Sequence, residues 1–274
     1  MSINKKYLIS LDLDGTLLKD NKKICHYTKY YLKKLQREGH IIIFSSGRSY
    51  RNVIKYYDLI GLNSPLVLNN GAIIMSPYDT SFPRIQETCS LKEIKSIYSK
   101  LSPQYIESSI CETYTSLYFD EEKFFDFSLM NSQGFKTYKT KTYLDELKED
   151  PLSFVAHLYP NVKKEEITPL IEPLLSCCGF RFWSGGNYFE VFKKGISKAT
   201  GINRIAEYYK IEKDNIIVFG DAENDVEMLK EFKNSFLMIN GVQELKKYAS
   251  FITKKDNNHN GIVYSLKEFF RKNN

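Results

Sequence analysis

The chain has 274 residues, 42% apolar and 26% charged, with a formal net charge of +6. That length supports one sizeable domain or two modest ones, and the composition excludes disordered, collagenous and membrane-embedded classes. No run of 18 apolar residues is present, so no membrane span is expected, and the stretch ending at Asp12 is too short and too acidic for a secretion signal.

The first apolar run, Tyr7 to Leu11, stops abruptly at Asp12-Leu13-Asp14-Gly15-Thr16, which reads as a buried strand running into a turn. From His26 to Glu38 the apolar spacing predicts a helix, with Gly39 as its stop signal. A strand at Ile41–Phe44 ends at Ser45-Ser46-Gly47-Arg48 and leads into a helix reaching about Asp58. A third apolar run, Leu66 to Leu68, ends at Asn69-Asn70-Gly71-Ala72. Wholly apolar strands alternating with helices predict a parallel sheet covered on both faces, with ligands beyond the carboxyl ends of its strands. The polar clusters fall at those ends.

Between about Arg84 and Asn187 the alternation loosens. A helix at Leu91–Leu101 and strands at Ser116–Phe119, Phe154–Tyr159 and Phe180–Trp183 predict a second α+β unit. Pro169 and Pro173 argue against a helix after Lys163. The first pattern resumes with a helix from Ser197 to Tyr209, a strand at Ile216–Phe219 and the loop Gly220-Asp221-Ala222-Glu223-Asn224-Asp225. The expected architecture is an α/β doubly wound parallel-sheet core of Rossmann-like type, residues 1–83 and 188–274. Residues 84–187 form an inserted α+β cap, mobile over the active site.

Asp12 and Asp14, one residue apart at the end of a buried strand, do not suit an ordinary core, because buried carboxylates need a partner or a metal. Gly15 lets the chain turn and exposes N–H groups that hold an anion. The loop Asp221 to Asp225 adds further carboxylates at the same sheet edge. Such a gathering repels itself unless a hard cation sits within it, and oxygen ligands of this kind suit Mg²⁺, which brings phosphate with it.

Four segments, Asp12-Leu13-Asp14-Gly15-Thr16, Ser45-Ser46-Gly47-Arg48, Lys194-Gly195-Ile196-Ser197-Lys198 and Gly220 to Asp225, resemble the four motifs of the haloacid dehalogenase superfamily. The resemblance covers the whole chain. Together with Asn70-Gly71-Ala72 and the insert between the second and third motifs, it is to the Cof-type hydrolases with a type 2 cap, subclass IIB. It implies a Mg²⁺-dependent phosphatase acting on small phosphomonoesters, such as sugar phosphates, through an aspartyl-phosphate. In that scheme Asp12 is the nucleophile and Asp14 the general acid and base. Members that dehalogenate, and the related transport ATPases, lack an aspartate at the second position. Ser46 and Lys198 would bind the phosphoryl oxygens, with Gly47, Arg48, Asn70 and Asn224 as further phosphate or substrate contacts. Mg²⁺ would be held by Asp12, the backbone carbonyl of Asp14 and Asp221, with Asp225 orienting these ligands from behind.

Each residue taken alone has a plainer reading. Ser46 suits a turn or helix cap, Lys198 a solvated surface, and Arg48 and Asn70 local structural bonds. In the insert, His157, Arg181 and Trp183 are specificity candidates that equally suit a packed strand. The cysteines Cys25, Cys89, Cys111, Cys177 and Cys178 lack zinc or disulfide spacing and read as reduced, cytosolic and structural. A redox or metal role for Cys177-Cys178 has no companion ligands at suitable spacing. The basic residues are spread along the chain without a recognition motif, so a small phosphorylated metabolite is the expected partner rather than nucleic acid or membrane. The oligomeric state stays open between monomer and weak dimer. A phosphomutase using the same motifs is the nearest rival; a non-catalytic phosphate-binding regulator is the more distant one.

Overall fold

The computed structural model describes residues 5–121, 136–183 and 187–273. In chain order the strands are β1 (Leu8–Leu11), β2 (Ile41–Phe44), β3 (Leu66–Leu68), β4 (Ile73–Met75), β5 (Ile85–Gln86), β6 (Ile106–Glu112), β7 (Ser116–Phe119), β8 (Lys136–Lys139), β9 (Ser153–Leu158), β10 (Cys178–Phe182), β11 (Tyr188–Lys193), β12 (Ile216–Gly220), β13 (Asn234–Leu237) and β14 (Phe251–Ile252). The α-helices are α1 (His26–Arg37), α2 (Tyr50–Ile60), α3 (Leu91–Leu101), α4 (Tyr143–Glu146), α5 (Lys164–Ile171), α6 (Lys198–Tyr208), α7 (Val226–Glu231) and α8 (Gly261–Asn273).

Two compact units divide the chain, one made of 1–85 and 197–274, the other of 86–196. The first is built on a parallel sheet in the order β14-β13-β12-β1-β2, and a bridge between Ser45 and Val67 links β2 to the antiparallel set β3-β4-β5. Every residue of β1, β2 and β12 is buried, which is why these segments read as apolar runs, with Ser10 the one polar side chain among them. On one face Leu8, Ile41, Ile43, Ile216 and Val218 pack against Ala199, Ile202 and Ile205 of α6. In the same unit Phe269 of α8 meets Phe236 of β13 edge-on. This is the doubly wound α/β core expected from the sequence. Its strand order changes direction between β1 and β12, so both acidic loops emerge side by side at one switch point, where such sheets bind ligands.

The second unit has a sheet in the order β10-β11-β9-β6-β7-β8, antiparallel except for the parallel pair β7-β8. Its helices contribute Ile94, Ile97, Leu101, Tyr143, Leu144, Ile167 and Ile171 to a single hydrophobic cluster. Two expectations need correction here. Residues 188–193 pair with β9 and β10, so the second boundary falls at 196/197 rather than 187/188. Their alternation, which turns Phe189 and Val191 into the insert's main hydrophobic cluster, belongs to an antiparallel sheet. A helix also forms at Lys164–Ile171 with Pro169 inside it. Proline removes one hydrogen bond, whereas the helix buries Ile167 and Ile171 completely at i, i+4 spacing. The helix ends within two residues, and a 3₁₀ turn with Pro173 near its start follows.

Helix α6 sets the position of its first residue, Lys198, through a reciprocal cap: Ser197 Oγ accepts from Thr200 N–H, and Thr200 Oγ1 accepts from Ser197 N–H. The helix lies so close to β3 that a Cβ on Gly201 would stand 2.6 Å from Val67 Cγ1, a stiff and fully buried methyl group. Gly201→Ala gains ~1 kcal/mol of helix propensity but overpacks this contact by about 1–3 kcal/mol. The expected result is a net loss of stability, seen as a melting temperature a few degrees lower by calorimetry.

Candidate active site

Asp12 directly follows β1 and extends its ladder by donating its N–H to the Phe219 carbonyl at 3.0 Å. Its side chain is 8% exposed. Oδ1 accepts from Lys198 Nζ at 2.7 Å, and the same ammonium donates to Asp225 Oδ1 at 2.6 Å. Lys198 and Asp225 are fully buried. Asp225 Oδ2 accepts the backbone N–H groups of Asp221 and Ala222 at 2.8 and 3.0 Å, so this carboxylate fixes the loop that carries Asp221. Asp221 Oδ1 accepts from Thr16 Oγ1 at 2.8 Å. Gly15, at φ +71, brings the first loop against this carboxylate: a Cβ there would sit 2.2 Å from Asp221 Oδ2.

Oxygens of Asp12, Asp221 and Asp225 lie within 4.8 Å of one another. Lys198 bonds two of the three, Asp12 and Asp225, so with all three carboxylates ionised two negative charges are unmatched within the cluster. Burial pushes the Asp12 carboxyl well above the usual carboxylate range despite Lys198, with Asp225 and Asp221 adding to the rise. Burial and then the Asp225 charge push Asp221 up to about 7. Lys198 is driven the other way from what burial alone would do, because Asp12 and Asp225 hold its proton. Excess charge, oxygen donors and close spacing together fit a hard divalent cation.

Asp14 sits beside this cluster with 40% of its side chain exposed. Arg48 grips it with two bonds, Nε to Oδ2 at 2.6 Å and a terminal N–H group to Oδ1 at 2.7 Å, and Lys22 adds a third at 2.7 Å. Burial would raise this carboxyl, but Arg48 and Lys22 outweigh it and hold it below its ordinary range. Ser46 is buried, and its Oγ accepts the Arg48 N–H at 3.1 Å. Asn224 donates to Asn70 Oδ1 at 2.9 Å, and a Cβ on Gly47 would meet those two amides at 3.0 to 3.4 Å. Every sequence-selected residue of the four motifs therefore lies in the first unit, at the carboxyl edge of its sheet.

Three partners escaped the sequence reading: Lys22 on Asp14, Thr16 on Asp221, and Asn240, which donates to the Gly15 carbonyl at 2.7 Å. Thr16 stood inside a quoted motif and was the one within reach. The sequence-selected insert residues His157 and Arg181 lie on its sheet, and Trp183 directly follows β10. Cys177 and Cys178 do have a companion, Glu93. Its carboxylate accepts both their N–H groups and the Ser176 hydroxyl, clasping α3 to the start of β10. All five cysteines are free thiols. Among the described residues no helix is long and apolar enough to cross a membrane.

Comparison with known proteins agrees with this arrangement. The family model for haloacid dehalogenase-like hydrolases matches residues 9–266. A Bacillus subtilis relative, the 5-amino-6-(5-phospho-D-ribitylamino)uracil phosphatase YitU, is 33% identical over 97% of this chain and 98% of its own length. Among solved structures, a haloacid dehalogenase-like hydrolase from Bacteroides thetaiotaomicron superposes with a TM-score of 0.77 at 20% identity, covering 97% of this chain and all of the other. A subclass IIB sugar phosphatase, BT4131, gives a TM-score of 0.78 at 19% identity over 97% of this chain and 98% of its own. The chain belongs to the haloacid dehalogenase-like hydrolases, with the Cof-type, subclass IIB fold. It is a phosphatase of that family.

Because Asp221 has a folded-state value of about 7 against an ordinary 3.8, holding it ionised costs stability that grows as pH rises from about 4 to 7 and is constant above. In chelator-treated buffer Asp221→Asn should therefore raise the melting temperature at neutral pH, by about 2–4 kcal/mol of stability, with the gain vanishing towards pH 4. Thermal melts of both proteins across that range check it.

Proposed function

We propose that this chain hydrolyses small phosphomonoesters, sugar or polyol phosphates, through an aspartyl-phosphate on Asp12 with Mg²⁺ as cofactor. The observation that carries the reading is the buried Asp12–Lys198–Asp225 array beside a separate, exposed Asp14. A nucleophile fixed by a buried cation and a second carboxylate open to solvent are what a double displacement needs, and a binding protein has no use for the second.

Asp12 and Asp221, with the backbone carbonyl of Asp14, would hold the metal, since Asp225 already spends its oxygens on Lys198 and two backbone N–H groups. When bound, Mg²⁺ supplies charge neutralisation and polarisation of phosphoryl oxygens. Lys198 keeps the Asp12 carboxylate oriented and offsets negative charge as the Asp12 oxygen bonds to phosphorus and the ester P–O bond breaks. The Asp14 carboxyl gives its proton to the leaving oxygen. It then takes a proton from the water that attacks phosphorus and frees Asp12. Arg48 and Lys22, which hold Asp14 as a carboxylate, are the cations an arriving phosphate draws towards itself, and that exchange lets Asp14 take up a proton from solvent or from the phosphate monoanion for acid catalysis. Ser46, Gly47, Asn70 and Asn224 line the phosphate side of the site. The insert acts as a cap that selects the leaving group. Free thiols throughout fit work in the reducing cytoplasm.

The test is phosphate release from p-nitrophenyl phosphate and a panel of sugar and polyol phosphates, with the phosphoribityl compound of the B. subtilis relative's name included. Native protein should turn over with Mg²⁺ and stop with chelator. Asp12→Asn should lose at least about 10³-fold in kcat, while Mg²⁺ still raises the melting temperature of the native protein. Equal turnover by Asp12→Asn would remove Asp12 as nucleophile; absence of any Mg²⁺ effect on either rate or melting would remove the cofactor.

A further inference from the structure

The turn that follows β13, Met238 to Val242, touches both acidic loops of the first unit. Met238 N–H donates to the Gly220 carbonyl at 2.9 Å and Val242 N–H to the Asp221 carbonyl at 2.8 Å, while Gly241 N–H closes the turn on the Met238 carbonyl at 2.8 Å. A Cβ on Gly241 would stand 2.8 Å from the Asp221 carbonyl oxygen and 3.0 Å from Asp221 Cα, so the turn lies flat against the backbone that carries this carboxylate. From the same turn Asn240 reaches the other loop, its Nδ2 donating to the Gly15 carbonyl at 2.7 Å.

A second partner fixes which way the Asn240 amide faces. Asn257 N–H donates to Asn240 Oδ1 at 3.2 Å. A backbone N–H can only donate and the Gly15 carbonyl can only accept, so a flipped amide satisfies neither. Asn257 is itself buried and anchored to the chain beyond the first motif, its Nδ2 donating to the Leu18 carbonyl at 2.9 Å and to Asp20 Oδ1 at 3.0 Å. The peptide between Gly15 and Thr16 is thus held from both sides. Its carbonyl is bonded to Asn240, and the Thr16 hydroxyl is bonded to Asp221. A glycine at φ +71 would otherwise leave this turn the freedom to rock.

We infer that Asn240 is a positioning residue for cation binding. By tying the Gly15 carbonyl to the turn that braces Asp221, it sets the separation between the Asp14 backbone carbonyl and the Asp221 carboxylate, two of the three groups proposed to hold Mg²⁺. It touches neither cation nor substrate and acts only through the two loops. Lys198 and Asp225 fix the buried side of the cluster, and Asn240, at an exposed position, fixes the side open to solvent. The inference rests on the cation assignment proposed for Asp12, Asp14 and Asp221.

Calorimetric titration of the full chain with Mg²⁺, without any phosphate ester, compares native protein with Asn240→Ala and Asn234→Ala. Asn234 donates to the Asp214 and Ile216 carbonyls at the start of β12, so its variant loses a comparable pair of bonds at the far end of that strand. Asn240→Ala should weaken Mg²⁺ binding about ten-fold or more and raise the Mg²⁺ concentration for half-maximal turnover by the same factor. Asn234→Ala should bind Mg²⁺ within about two-fold of native protein. In chelator, Asn240→Ala should melt within about 2 °C of native protein, which establishes that the unit is folded. Native Mg²⁺ affinity in Asn240→Ala, or an equal loss in Asn234→Ala, would overturn the brace and leave the phosphatase reading standing. The ten-fold difference in a native protein that turns over no ester would keep the brace and remove that reading; a native protein that binds no Mg²⁺ would remove both.

Discussion

A single buried ammonium governs the geometry of this molecule. Lys198 sits at zero exposure between Asp12 and Asp225, and breaking one partner of such a pair leaves charge stranded in a low-dielectric interior. The three residues come from three chain segments: the end of β1, the first residue of α6 and the loop after β12. Each has to be delivered to within hydrogen-bond distance. The sheet order puts β1 beside β12, the Ser197–Thr200 cap fixes where α6 begins, and the side chain missing from Gly201 lets that helix settle onto β3. The fold can be understood as the scaffold that makes this one cluster affordable.

Around that fixed centre the remaining charges are arranged more loosely. Asp14 is held by two cations on the solvent side, whereas Asp12 shares one cation with another carboxylate in the interior. Two carboxyl groups separated by one residue are thereby pushed in opposite directions, one above its ordinary range and one below. Division of labour between paired acids depends on such a split in environment. Here it arises from which way the chain turns at Gly15.

The sequence disclosed the core and the motif residues because both are written locally. Fully buried parallel strands leave apolar runs, and a polar cluster at each strand end marks the ligand edge. It was less informative where the reason for a structure lies across the chain. Strand β6 contains Ser108 and Ser109, both fully buried, so its polarity hid it. Strand β11 alternates in a way that suits either unit, and only its pairing with β9 and β10 assigns it. Lys22 is one of many lysines until the fold brings it to Asp14, and nothing local to Asn240 announces the Gly15 carbonyl. Trp183 read as packed core or specificity residue with equal ease, because the Glu190 carboxylate that holds its indole N–H lies on another strand.

The central strand has a consequence for biosynthesis. β1 is made some two hundred residues before its partner β12, which begins at Ile216. At ribosomal rates of about 5–20 residues per second, that wait lasts roughly 10–40 s. Throughout it, one edge of a fully buried strand has no native neighbour, while the insert, whose strands all lie between, can complete its own sheet. Long-range pairing of this kind is slow and exposes sticky edges. In a growing chain, then, the half that carries Asp12 is the one most in need of protection by chaperones.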